Sequence, residues 1–568
     1  MQKSLVENTS CQKFNKKQHM YKVITLFLWI GLLSSCSVSK GVHKDYELFS
    51  KEQTQAYTVQ KKETVCVIGR DFLKKNEVGN WELFISGTPE QLGAKQGLLT
   101  QDLYAHQEAV FFSQIDSLIP QKNRQKWLLR FVKWYHRDIT DYIRKEYRSE
   151  IFALSRQSSY TNDLMENAYQ RALLLHGAHD IGHAMQNLML VGCSSFAVWD
   201  NKTKDSTLYI GRNFDFYVGD AFAENKLIQF VKPDKGIPFA SVSWPGMIGV
   251  VSGMNMEGLT VTMNAGKSSI PLKAKTPVSL VAREILQYAS NLEEAVQIAS
   301  QQKVFVSEAL LIGSAKDRRA IVLEMSPKKI TVYEPEEKDQ LITTNHFQSE
   351  SYKKDRRNQD HIKNSHSLYR YQKIAQRLNE ETEVSEKEVA EILRDRSGWQ
   401  HKPIGNGNEK ALNQLLAHHA VIFKPEDKLM WVASAPYQLG TFKAYDLNTI
   451  FSDSLDFTKD IAEKRFEIPP DDFQYTNEYA DYQMFKQYDK KMDEVISAKQ
   501  TVDNSFISNF IRLNPDYWLV YYKAAKYYYI HKQYDLAKEM FEAALSKEVT
   551  TQYDVQNIHK YLKKIRKK

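Results

Sequence analysis

The hydrophobic period of this chain changes at one residue pair, Gly192–Cys193, and that change limits the folds open to it. From about Ala94 to Leu188, apolar and aromatic residues recur every three or four positions, the spacing of helices packed through one face. Beyond Gly192 the period becomes two. "CSSFAVW", "STLYIGRNFDF", "LIQFV", "FASVSW" and "LTVTMNAG" alternate as strands do. A helix is predicted over 277–289 ("PVSLVAREILQYA"), then strands in "EALLIGSA", "RAIVLEMS", "KITVYEP" and "QLITTNHF". Helices return near 365–395, and 418–435 reads as a last hairpin turning at Pro425-Glu426-Asp427. Helices, many strands, then helices again predict a layered α+β chain with its sheet inside.

Upstream, "TVCVIGRD" and "WELFISG" are strand candidates, the second leading into a helix that starts at Thr88-Pro89-Glu90. After about residue 456 charge and tyrosine dominate. Residues 514–548 resemble one tetratricopeptide (TPR) unit through Trp518, Tyr522, Ala525, Tyr534, Ala537, Phe541 and Ala544. One unit cannot form a solenoid, so this TPR-like region is expected to pack on the body, with a protein partner as the alternative. A length of 568 residues predicts more than one domain. The expected division is a leader over 1–36, a polar tether over 37–79, a helical segment over 80–192, a sheet-rich core over 193–455 and a helical region over 456–568.

The formal charge of +8 sits at the ends, in the lysines of residues 1–35 and the tail "KYLKKIRKK", leaving the body nearly neutral. A nucleic-acid binder would carry that charge along one face, so nucleic acid is excluded as the expected partner. The tail reads as a solvated helix end, with anionic lipid as the alternative contact. Near the start, the apolar run Val23–Leu33 is too short to span a bilayer and suits a signal-peptide core. Ending in Leu33-Ser34-Ser35-Cys36, it resembles a bacterial lipoprotein signal, with Met20 as a second start. That resemblance implies lipidation of Cys36 and a membrane-anchored protein of the bacterial cell envelope, periplasmic or surface-facing. The exported body would then hold two cysteines, Cys66 and Cys193. A disulfide between them and two separate thiols are both open.

Cys193 opens a strand directly after a glycine. A thiol there can act as nucleophile once activated. Cleavage of Gly192–Cys193 would free an α-amine with an ordinary pKa of about 7.7–8.0, able to serve as base for its own side chain. Gly192, lacking a Cβ, permits the strained backbone that an internal thiol attack needs. A hairpin folding back would bring Arg212 beside Cys193 to favour the thiolate, and Asp215 could hold the α-ammonium.

"GCSSFAVWD…YIGRNFDF" is similar to the start of the nucleophile chain in the choloylglycine hydrolase and penicillin V acylase group. It resembles still more the isopenicillin N acyltransferase-like family, whose members keep a long segment before the cysteine. "GTPEQLGAKQG", "AHDIGHAMQNLMLVGCSSF", "GMNMEGLTVTMNAG", "ITTNHF" and "SHSLYRYQKI" match in order over roughly residues 80–450. The resemblance implies a four-layer αββα N-terminal-nucleophile hydrolase acting on a small-molecule acyl amide without cofactor or metal. It further implies Asn264 and Asn345 as oxyanion donors and Arg370 as a late active-site arginine. Asn255 reads as a turn residue.

Rival readings accompany these residues. Cys193 can be an inert buried thiol, and Arg212 with Asp215 a structural pair. His176, His179 and His183, with Asp180, share a helical face that could ligate zinc or simply pack. A degenerate body serving as an envelope scaffold predicts an uncut Gly192–Cys193 bond. Transfer of the acyl group to an amine shares the same thioester with hydrolysis.

Overall fold

A computed structural model describes residues 37–51, 56–62, 65–162, 165–177, 192–216, 219–269, 273–336 and 339–568. Cys36 with its leader, and His179, Asp180 and His183, lie outside them. In chain order the first strands are β1 (Gln60–Lys62), β2 (Val65–Ile68), β3 (Asp71–Lys75), β4 (Trp81–Gly87), β5 (Ser194–Val198) and β6 (Tyr209–Phe214). Next come β7 (Leu227–Pro233), β8 (Phe239–Ser243), β9 (Ser252–Asn255), β10 (Leu259–Ala265), β11 (Glu308–Ser314) and β12 (Arg319–Met325). The last are β13 (Ile330–Tyr333), β14 (Gln340–Thr343), β15 (His419–Lys424), β16 (Leu429–Ala433) and β17 (Phe442–Asp446).

They form two sheets. The larger has eleven strands ordered β1-β2-β3-β4-β7-β8-β9-β10-β11-β12-β13, the smaller six ordered β14-β5-β6-β15-β16-β17. Alternation along single strands shows how the sheets stack. Ala309 and Leu311 of β11 share a buried cluster with Val421 and Phe423 of β15, so these residues face each other between the sheets. Their neighbours point outward. Leu310 and Ile312 meet Val281, Ile285 and Leu286 of the Val278–Tyr288 helix. Ala420 and Ile422 meet Ile374 and Leu378 of the Ser367–Glu380 helix and Val389 and Ile392 of the Glu386–Arg394 helix. The result is the expected αββα sandwich. Because both faces of each sheet are covered, β10 and β11 are buried at every position.

The segment ahead of Cys193 departs from expectation. Residues 37–79 are not a polar tether. Ser37–Phe49 is a helix that buries Val42 and Phe49, and β1–β3 extend the larger sheet. β2 lies inside the strand expected in "TVCVIGRD", while β1 and β3 are short and lie in polar sequence on either side of it. β4, the strand expected in "WELFISG", enters the sheet in parallel with β7, from Trp81↔Leu227 to Gly87↔Pro233. After β4, Thr88 and Gln91 form a reciprocal cap on the Pro89–Leu99 helix. In "GAKQG" a Cβ on Gly93 would fall 2.0 Å from the Glu150 carbonyl oxygen, so glycine lets this helix touch the Lys145–Ser155 helix backbone. The 419–433 hairpin is not the last, because β17 pairs with β16.

The C-terminal helices Asn477–Ala498, Asn504–Arg512, Trp518–Ile530, Tyr534–Ser546 and Gln552–Ile565 surround their own core. Trp518, Ala525, Ala537, Phe541 and Ala544 are all buried in it. Leu415 and Leu439 of the body join that cluster, so this region packs on the sandwich. No helix among the described residues is long and apolar enough to cross a membrane.

Candidate active site

The β5–β6 hairpin sets the geometry around Cys193. Ser194 pairs with Asn213 and Ser195 with Arg212, which leaves Cys193 buried at the mouth of the ladder. Arg212 Nη2 donates to Cys193 Sγ at 3.9 Å. The guanidinium is held there by the Val251 carbonyl at 2.8 Å, by Ser252 Oγ and by the Met263 carbonyl. Its carbon sits 4.3 Å from the Phe214 ring centre.

Arg370 reaches the same residue from the Ser367–Glu380 helix. Its Nη1 donates to the Cys193 carbonyl oxygen and, at 2.8 Å, to Ser194 Oγ; its Nη2 donates to Asn345 Oδ1 at 2.6 Å. Asp215 follows β6. Its carbonyl accepts from the Gly192 N–H at 3.0 Å, and its Oδ2 accepts from Gln414 Nε2 at 3.2 Å. Asp215 Oδ1 is buried with no hydrogen-bond partner among the described residues, an acceptor left open beside the peptide that joins Gly192 to Cys193. Cys66 and Cys193 are both free thiols.

Burial governs the charges. It pushes the Cys193 thiol up to about 11 against the pull of Arg212, so the thiol is protonated at neutral pH while its peptide bond is intact. Burial also pushes Asp215 up to about 7, opposed by Arg370 and Arg212. Both arginines are brought down to about 10 by burial and stay cationic at neutral pH. The site thus holds a protonated thiol, two fixed cations and a carboxyl group that titrates near neutrality.

The two asparagines are placed differently from a paired oxyanion hole. Asn264 Nδ2 donates to the Thr343 and Thr344 carbonyls at 3.1 and 3.2 Å, and its Oδ1 accepts from Ser195 Oγ at 2.9 Å. It therefore laces the larger sheet to the smaller, with both amide hydrogens committed, because the end of β14 leaves carbonyls that need donors. Asn345 Nδ2 donates to the Ala265 carbonyl at 3.1 Å and keeps its second N–H. Asn255 serves its turn as read, accepting from the Glu257 and Leu259 N–H groups and donating to the Leu286 and Ala289 carbonyls. His176 has both ring nitrogens occupied, one by the Ala172 carbonyl and one by the Ile248 N–H.

Two residues escaped the sequence reading. Gln414 lies in "NQLL", which carries no motif, and only the fold brings it to Gly192. Glu308, buried at the head of β11 opposite Ala265, acts on Cys193 and Arg212 through its charge. An acid leading the apolar run "EALLIGS" is the signal that could have found it. Elsewhere Glu77, Asp460 and Glu467 converge, but Lys443 Nζ bonds all three and fills the position a cation would take.

An uncharacterized protein of Archaeoglobus fulgidus is 27% identical over 279 residues, 45% of this chain, and the chain spans 45% of that relative's length. Among solved structures, the chain is similar to a Caenorhabditis elegans ortholog of N-acylethanolamine-hydrolyzing acid amidase. That likeness has 18% identity and a TM-score of 0.31, covering 41% of this chain and 93% of the other. It is also similar to a mutant conjugated bile acid hydrolase of Clostridium perfringens, with 14% identity, a TM-score of 0.32, and 48% and 96% coverage. Residues 201–436, a span that starts just after β5 and includes Arg212, Asp215, Asn264, Asn345 and Arg370, match the model of one family. That model is of the acyl-coenzyme A:6-aminopenicillanic acid acyl-transferase family, to which this part of the chain is similar.

Proposed function

We propose that this chain is an amidohydrolase whose nucleophile is Cys193, exposed as a new N-terminus by self-cleavage after Gly192. The observation that carries the reading is the juxtaposition at Cys193. Arg212 stands 3.9 Å from the thiol sulfur, and a buried, open carboxylate oxygen of Asp215 flanks the same peptide. A chain end is what that oxygen lacks. Once the peptide is cut, the α-ammonium of Cys193 becomes a donor for Asp215 Oδ1, and the neutral amine can take the thiol proton. Cys193 Sγ then attacks an acyl carbonyl, the leaving amine receives the proton, and water releases the thioester. Asn345, with one free amide hydrogen, is the better placed of the two asparagines to donate to the developing oxyanion.

Phe216, next to Asp215, stacks on Trp244 with ring centres 6.0 Å apart, and both pack against Phe222 in an aromatic cluster beside the site. A leader ending at Cys36 supports anchoring to the bacterial envelope, where water is abundant and acyl-coenzyme A scarce, which favours hydrolysis. Transfer to an amine is the second reading, favoured by the family's name.

The test is a panel of N-acyl amides offered to the purified protein, followed by peptide mass analysis after acid quench. The expected result is an acyl adduct on the peptide beginning at Cys193, absent from Cys193→Ala. Free acid as the only product establishes hydrolysis, and a new amide on addition of an amine establishes transfer. Turnover unchanged in Cys193→Ala would refute the reading.

A further inference from the structure

The self-cleavage reading requires something to hold the oxygen of the bond that breaks, and the structure supplies a residue for it. Gln414 Nε2 donates to the Gly192 carbonyl oxygen at 2.8 Å and to Asp215 Oδ2 at 3.2 Å, in a fully buried setting. Both partners are acceptors, a carbonyl and a carboxyl oxygen, so the amide must present its nitrogen to them.

The surroundings fix that orientation. Leu415, the next residue, takes a left-handed backbone with φ +52°, and its N–H bonds Asn413 Oδ1 at 3.0 Å. Asn413 N–H in turn donates to the Asp395 carbonyl at 2.8 Å. Asn213, inside the Arg-Asn-x-Asp motif on β6, clamps the Leu412 carbonyl at 2.9 Å. Leu415 itself is locked into the core of the C-terminal helices. Gly192 fits the cradle because it has no side chain: a Cβ there would lie 2.5 Å from Gln414 Nε2 and 2.7 Å from its Oε1.

We propose that Gln414 is the oxyanion donor of self-cleavage, and that the contact between Gln414 and Gly192 is what restricts the cleaved position to glycine. The inference rests on the self-cleavage reading. Cys193 Sγ bonds to the Gly192 carbonyl carbon, and negative charge gathers on the oxygen that Gln414 already holds. The C–N bond to Cys193 breaks as the thiol proton passes to that nitrogen, giving a thioester and a free α-amine. Water then hydrolyses the thioester, so that Gly192 ends as a carboxylate and Cys193 as a thiol. One water is consumed and no other reactant is needed.

The test follows self-cleavage of full-length protein by denaturing mass analysis in the parent, Gln414→Met, Gln414→Glu and Gly192→Ala. Met keeps the length of the side chain but has no donor, and Glu has none once ionised, so the Glu variant is compared at alkaline pH. Loss of one oxyanion donor slows such steps about 100- to 1,000-fold, and that slowing is the expected result in both Gln414 variants. Melting temperatures, each measured in the Cys193→Ala background, read the stability cost of each change separately from its effect on the rate. Gly192→Ala should also be slow. Cleavage of a folded Gln414→Met or Gln414→Glu protein at the parental rate would overturn the inference and leave self-cleavage standing. A parent that never cleaves would overturn both. If the Met variant does not fold, the Glu variant decides alone.

Discussion

Asp215 shows how far a single residue is governed by its burial. Its ordinary value is 3.8 and the fold moves it to about 7, because the carboxylate has lost its water and gained only Gln414 as a direct donor. Below about pH 4 the group is protonated whether the chain is folded or not, and burial of its charge costs nothing. Between about 4 and 7 the unfolded chain ionises first, so stability falls as pH rises; above 7 the loss is complete. Asp215→Asn in the Cys193→Ala background should therefore melt higher than Cys193→Ala. The gap should open between pH 4 and 7 and amount to a few kcal/mol at most. Calorimetry across that range checks it, and a gap independent of pH would contradict it. Arg212 and Asp215 were legible because a hairpin register is local. The bonds of Asn264 were not, because its partners lie on the other sheet.

At the scale of elements, loop 411–415 depends on its supports. Asn213 bonds the Leu393 and Leu412 carbonyls at 2.8 and 2.9 Å, tying β6 to the end of the Glu386–Arg394 helix and to the loop that carries Gln414. Asn213→Ala leaves the buried Leu412 carbonyl unpaired, at about 1–3 kcal/mol, and the Leu393 carbonyl with Gln438 Nε2 alone at 3.4 Å. Urea unfolding should show a loss of about 1–3 kcal/mol, with self-cleavage slowed although no group touching Cys193 has changed. The C-terminal helices support the loop from the other side through Leu415. Trp518, whose Nε1 bonds Thr550 Oγ1 at 2.8 Å, packs in the same core, and Trp518→Ala should cost about 3–5 kcal/mol. Strands buried on both faces were easy to read because they are long and apolar. β1, β3, β9 and β17 run to five residues at most and escaped the pattern, whereas β2, as short, was read in "TVCVIGRD".

The whole molecule would survive its own cleavage. The segment before Cys193 supplies β1–β4, and β4 pairs with β7 over seven positions. Cutting at Gly192 breaks one peptide bond and no strand pairing. The two fragments should elute together under native conditions and separate only in denaturant; spontaneous separation in buffer would contradict that joint sheet. The layered architecture was legible from the change of period at Gly192. The sharing of one sheet across the cleavage position was not, because β4 and β7 lie more than a hundred residues apart in sequence. The most direct measurement is denaturing intact-mass analysis of the full-length protein beside Cys193→Ala. Two fragments meeting at Gly192 and Cys193 in the parent, with a single chain in the variant, is the predicted result. A single uncut chain in both would remove the α-amine base and contradict the account.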